Sequence, residues 1–152
     1  MAAARPFGSF RELADEADRV WRSLSREDWL EAFAAHPQIG SAPSSRPSSV
    51  AGAGPQGLSP RHSLVWSRDE QDGTRGASPE TLANLADANR DYEERFGHIF
   101  IVCASGRNAA EMLALAQARL ANDPETELAI AAEEQRKITR LRLEKLLAAT
   151  DK

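Results

Sequence analysis

His36 follows the apolar residues Trp29, Leu30 and Phe33 and directly precedes Pro37, so its ring is presented at a turn that proline stiffens. Imidazole is the side chain whose ordinary pKa suits proton transfer near neutrality. The structural alternative is a histidine that completes the dipole at a helix C-terminus. Glu70 and Gln71 form a second pair, a carboxylate able to hold an imidazolium beside an amide able to hydrogen-bond a polar ligand. Ser67-Arg68-Asp69-Glu70 fits a capping box equally well. A third feature is the apolar run Ile101-Val102-Cys103-Ala104, which opens into Ser105-Gly106-Arg107 ahead of a helical stretch. Unpaired N–H groups at a helix start, with the guanidinium of Arg107, would favour an anion there. Its alternative is a buried connector followed by an arginine in solvent. Cys103 lies inside the apolar run and reads as inert. His62 and His98 read as having no chemical role. Neither a zinc-ligand spacing nor a glycine-rich phosphate loop is present.

Helices must position these groups. Ser9 can cap a helix over 9–23, with Phe10, Leu13, Ala14, Ala17, Val20 and Trp21 recurring at three and four. Ser25 opens a second that stops at His36-Pro37. Residues 41–65 are more than half Ser, Pro and Gly with no acidic residue, the composition of a long surface loop. Ser67 opens a short helix. Ser78-Pro79-Glu80 opens a longer one with Leu82, Leu85, Ala86, Asn89 and Tyr92 on one face, ended by Gly97. His98 to Ala104 is the only β-like run, and with no partner strand it reads as a buried extended connector. Ser105 to Asn108 opens the next helix. Asp123-Pro124-Glu125 opens the last, with Leu128, Ala131, Ile138, Leu141 and Leu146 in a stripe. In it Glu125, Glu127, Glu133 and Glu134 precede Arg136, Lys137, Arg140, Arg142 and Lys145, an order that complements the helix dipole. The expected architecture is all-α, one compact domain over 1–152 built as a bundle of about six helices.

The 152 residues carry a formal charge of −4, which argues against a general nucleic-acid binder. The single cysteine allows no intrachain disulfide. No apolar run approaches the roughly 18 residues of a membrane span, and the N-terminus lacks the apolar stretch of a secretory signal. These features predict a soluble, cytoplasmic protein without nucleic-acid or membrane partners.

Several segments, in order, resemble one family. His36-Pro37-Gln38-Ile39-Gly40 is similar to its His-Pro-x-apolar-Gly segment, and Ser67-Arg68-Asp69-Glu70-Gln71 to its Ser-x-x-Glu-Gln segment. Tyr92 to Gly97 followed by Phe100 to Arg107 resembles its central stretch, and Ala132 to Leu143 its closing helix. The family is the 2-oxo-4-hydroxy-4-carboxy-5-ureidoimidazoline (OHCU) decarboxylases of urate degradation. The resemblance implies an all-helical enzyme, usually a homodimer, that needs no cofactor and no metal. It would turn its small ureidoimidazoline substrate into (S)-allantoin. Carried over, His36 is the proton donor, Glu70 orients it, and Gln71 bonds the polar ring. Pro37, Ser67, Arg68, Asp69, Ile101, Val102, Cys103, Ala104, Ser105 and Arg107 complete the expected substrate-binding set. The chain enters the family pattern near Arg5-Pro6-Phe7, and its 41–65 segment is longer and richer in Ser and Pro than the family's connection. That segment is expected either to lie over the pocket as a lid or to be disordered. The competing readings are a non-catalytic helical adaptor and another small enzyme using a His/Glu acid-base pair.

Overall fold

A computed structural model describes residues 6–36, 39 and 72–150. Among these residues the architecture is all-helical, with α1 Phe10–Arg22, α2 Arg26–Ala34, α3 Pro79–Phe96, α4 Ala109–Arg119 and α5 Pro124–Thr150. Among the described residues a 3₁₀ turn, Asp72–Thr74, precedes α3. The expected helix at Ser67 lies outside the described residues, and so does the 41–65 segment.

Local chemistry fixes the helix ends. The Ser9 hydroxyl accepts the Glu12 N–H at the start of α1. At α2 the Ser25 hydroxyl accepts the Asp28 N–H (3.2 Å) while the Asp28 carboxylate accepts the Ser25 N–H (2.9 Å). Ser78 caps α3, with Pro79 at its first turn. Gly97 ends it at φ 74°, a left-handed conformation that glycine adopts without strain. Asn108 and Glu111 form a second reciprocal box at α4.

The core has two parts, and the segment between α3 and α4 divides them. Leu85, Ala88, Tyr92, Met112 and Ala116 pack with Phe100, Val102 and Ala104. Phe33, Leu128, Ala131, Ala132 and Ile138 pack with Ile101, joined by Trp21, Trp29, Ile99 and Cys103. Residues 99–104 therefore alternate between two apolar clusters, as an extended backbone must. The buried extended connector read from the sequence is what the fold contains.

Three expected core positions differ, and the first is Phe10, which opens α1 and is 37% exposed. Ala86 is exposed and Ala88 takes its place, because a 3.6-residue period carries the buried face through 85, 88, 89 and 92. Leu146 is 36% exposed, since its part of α5 runs on past the core.

α1 lies along α5. The Trp21 indole donates to the Ala132 carbonyl (2.9 Å), and the Trp29 indole donates to the Trp21 carbonyl (3.0 Å). Further along, Asp18 pairs with Arg136 at 2.5 Å and Arg140 at 3.4 Å, and Asp15 pairs with Arg140 at 3.1 Å. Part of the basic half of α5 thus serves α1 as well as its own dipole. No helix among the described residues is long and apolar enough to cross a membrane.

Candidate active site

His36 sits just past the C-terminus of α2, half-buried, and its N–H donates to the Phe33 carbonyl at 3.0 Å. Phe33 is fully buried, so the turn that carries His36 leaves the core directly. Three residues after His36, Ile39 packs against the α3–α4 cluster. Its carbonyl accepts a hydrogen bond from Asn89 Nδ2 on α3 at 2.7 Å.

Among the described residues the connector has no partner strand, and side chains satisfy several of its polar groups. Arg119 Nη1 donates to the Ile101 carbonyl at 2.8 Å, and the Cys103 N–H donates to Glu134 Oε2 at 2.8 Å. Arg107 folds back, and its Nε donates to the Cys103 carbonyl at 3.2 Å. The side chains of Ile101, Val102 and Ala104 are buried in the core. What these three offer a ligand is therefore main chain. Cys103 is half-buried and Ser105 is exposed. Burial pushes the Cys103 thiol up, which suits an inert cysteine better than a nucleophile.

Behind the connector lies a buried polar cluster. Glu127 is 0% exposed. One of its carboxylate oxygens takes the Arg119 guanidinium at 2.5 Å and the Tyr92 hydroxyl, while the other accepts from Asn122 Nδ2 at 2.8 Å. The Arg119 guanidinium also lies over the Phe100 ring, 4.7 Å from its centre. A carboxylate buried this deeply is tolerated only when it is paired and hydrogen-bonded, and here both conditions hold. On the next turns of α5, burial alone would push the Glu134 carboxyl up. Its bonds from Lys137 and the Cys103 N–H outweigh that and hold it below its ordinary value.

These residues add to the dipole reading of α5, whose first turn does carry Glu125 and Glu127. Glu127 and Glu134 are interior anchors, one indirectly through Arg119 and the other directly on the connector. A glutamate in a first turn has an ordinary explanation, and that explanation concealed Glu127. The one available signal was the position of Glu127 next to Leu128 in the apolar stripe.

The turn Asp72–Thr74 meets the end of the connector. A Cβ added at Gly73 would lie 1.9 Å from the Arg107 carbonyl oxygen, so only glycine permits that approach. At the start of α4, the Asn108 and Glu111 N–H groups are taken by the capping box, and the Glu111 carboxylate adds negative charge there. Those two donors are thus used within the chain instead of by the anion expected at this helix start.

His98, read as having no chemical role, is buried among the rings of Phe33, Tyr92 and Phe96, with centroids 5.3, 5.5 and 6.2 Å away. Burial pushes its pKa down. Its Nδ1 faces the Ile99 carbonyl at 3.1 Å, and a carbonyl can only accept, so the neutral ring carries its proton on Nδ1. Pro37, Ser67, Arg68, Asp69, Glu70 and Gln71 lie outside the described residues, and with them the expected pairing of Glu70 with His36. Among the described residues no group of three or more His, Cys, Asp or Glu side chains could hold a metal ion.

The family model for OHCU decarboxylase matches residues 1–144. The uric acid degradation bifunctional protein TTL of Arabidopsis thaliana is 39% identical over 148 residues, 97% of this chain and 42% of that protein. A 2-oxo-4-hydroxy-4-carboxy-5-ureidoimidazoline decarboxylase of Amia calva is 34% identical over 109 residues, 62% of each chain. The match thus spans less than two thirds of the length of these curated relatives. A crystal structure of OHCU decarboxylase in the presence of (S)-allantoin is similar at a TM-score of 0.75 and 38% identity, over 96% of this chain and 87% of that one.

Proposed function

The chain belongs to the OHCU decarboxylase family, and from that premise we propose that it decarboxylates 2-oxo-4-hydroxy-4-carboxy-5-ureidoimidazoline to (S)-allantoin. The observation that carries the reading is the likeness, over 96% of the chain, to an OHCU decarboxylase solved in the presence of (S)-allantoin. In the proposed reaction the carbon–carboxylate bond breaks and carbon dioxide leaves. The electron pair forms a double bond to the neighbouring, ureido-bearing carbon as the ring C=N takes up a proton; that neighbouring carbon then receives one proton from one face while the hydroxyl on the decarboxylated carbon gives up its proton and becomes the ring carbonyl. Because the ring itself holds the electrons, the protein needs to supply orientation, hydrogen bonds to developing charge and a proton from a fixed side.

His36 is the proposed proton donor. Glu70 stabilises its imidazolium and Gln71 hydrogen-bonds the ring. Pro37, Ser67, Arg68 and Asp69 flank them. The connector contributes main chain at 101–104, with Cys103, Ser105 and Arg107 at its end. The proposed unit is a single domain over 1–152, active as a cytoplasmic homodimer without a cofactor; sedimentation of the purified protein reads the oligomeric state.

The experiment generates the intermediate in place from urate with urate oxidase and hydroxyisourate hydrolase, and follows chiral allantoin by circular dichroism. The protein is expected to accelerate its appearance. His36→Asn should lose about 10²–10⁴-fold in rate with its helicity intact. Glu70→Gln preserves a capping box but not a charge, and should lose at least about tenfold in rate. Wild-type turnover in both variants would remove the pair from the mechanism.

A further inference from the structure

We infer that Asn89 is a positioning residue for the proton-donating turn, acting on His36 through the carbonyl of Ile39. His36 is midway between two anchored residues. On one side Phe33, fully buried, accepts the His36 N–H. On the other, Ile39 packs on the core and gives its carbonyl to Asn89 Nδ2. Pro37, next to His36 in the chain, narrows the backbone freedom between the two anchors. Six residues along the chain therefore separate a fixed carbonyl before the imidazole from a fixed carbonyl after it, and Asn89 supplies the polar part of the second.

Asn89 is an expensive residue to keep where it is. It is 4% exposed on the apolar face of α3 between Leu85 and Tyr92, and its Oδ1 has no hydrogen-bond partner among the described residues. Burying an unsatisfied amide oxygen costs stability, and an apolar residue of the same size would avoid that cost. What the amide provides in exchange is the grip on Ile39. A general acid must be held to a fraction of an ångström to deliver its proton, and misplacement by about 1 Å can cost about 100-fold in rate.

The inference rests on the decarboxylase reading for its activity arm only, so the test has two arms. Asn89→Leu removes both polar groups at similar volume, and Asn89→Asp preserves the shape but loses the donor. The Asp variant decides the question should the Leu variant fail to fold. In the coupled assay kcat is expected to fall about 10–100-fold with KM changed less than about threefold. Introducing Asn89→Leu into His36→Asn should add almost no further loss, because the two act as one unit. Independently of turnover, the NMR titration of the His36 ring, assigned by its disappearance in His36→Asn, should be displaced in both Asn89 variants.

An unchanged His36 titration would overturn the inference, and so would losses that add in the double variant or simply follow loss of helicity. Wild-type turnover in His36→Asn would instead overturn the decarboxylase role of His36. The titration would then still decide whether Asn89 positions the ring.

Discussion

His98 shows how a residue without an evident chemical role acquires one in stability. Burial among three aromatic rings holds its pKa below the ordinary 6.5, so the native state favours the neutral ring. Between the depressed folded value and 6.5 the unfolded chain binds more protons than the native one. The stabilisation is therefore complete above about pH 6.5 and is lost as the pH falls through the folded value. Melting temperature should drop from about pH 7.5 to 5.5, and His98→Phe, which fills the same ring-lined space, should flatten that slope. An identical slope in both proteins would assign the pH dependence to other groups. The sequence placed His98 beside the Gly97 stop but could not show the rings around it, since Phe33 comes from a helix 65 positions earlier. Asn89 was legible, because a polar residue on an apolar face is visible in the periodicity. Glu127 and Arg119 were not, because charges near helix ends already have a sufficient local explanation.

At the scale of elements, the caps and the connector were readable from local chemistry. Ser9, Ser25, Ser78 and Pro79 each begin a helix where their side chains satisfy or dispense with a free N–H. The connector followed from one β-like run without a second to pair with. Its clamps were not readable. A lone extended segment must find partners for its polar groups, but nothing local shows that they are Arg119 from α4 and Glu134 from α5. The same holds for the docking of Asp72–Thr74. Gly73→Ala forces a Cβ into the Arg107 carbonyl, so the turn or the connector end must move. The expected cost is about 1–3 kcal/mol, read from the denaturant midpoint, together with a raised KM if the connector end contacts substrate. A variant with unchanged midpoint and unchanged kinetics would show that the contact yields freely.

Across the whole molecule, α1 and α5 bring early and late parts of the chain together. Trp21 reaches the α5 backbone, and Asp15 and Asp18 meet Arg136 and Arg140 more than a hundred residues away in sequence. Arg136 is held strongly protonated, first by Glu133 and then by Asp18, although burial opposes this. The class and the general packing were legible because apolar residues recurring at three and four mark which side of each helix faces inward. The pairing of α1 with α5 was not, because both carry charges that would be equally at home in water.

The chain has a single tyrosine, and its hydroxyl is bonded to Glu127 in the interior. Burial, then the neighbouring carboxylate, raises the Tyr92 pKa far above the ordinary 10.0. The native protein therefore favours the protonated phenol, and raising the pH beyond 10 draws the equilibrium toward the open chain, where the phenol ionises freely. Tyr92 thus makes the molecule its own optical indicator. In an alkaline titration, phenolate absorbance should stay silent while the helices persist and then appear in one step together with their loss. Phenolate that rises smoothly near its ordinary pKa, with ellipticity unchanged, would mean that the interior admits solvent at Tyr92.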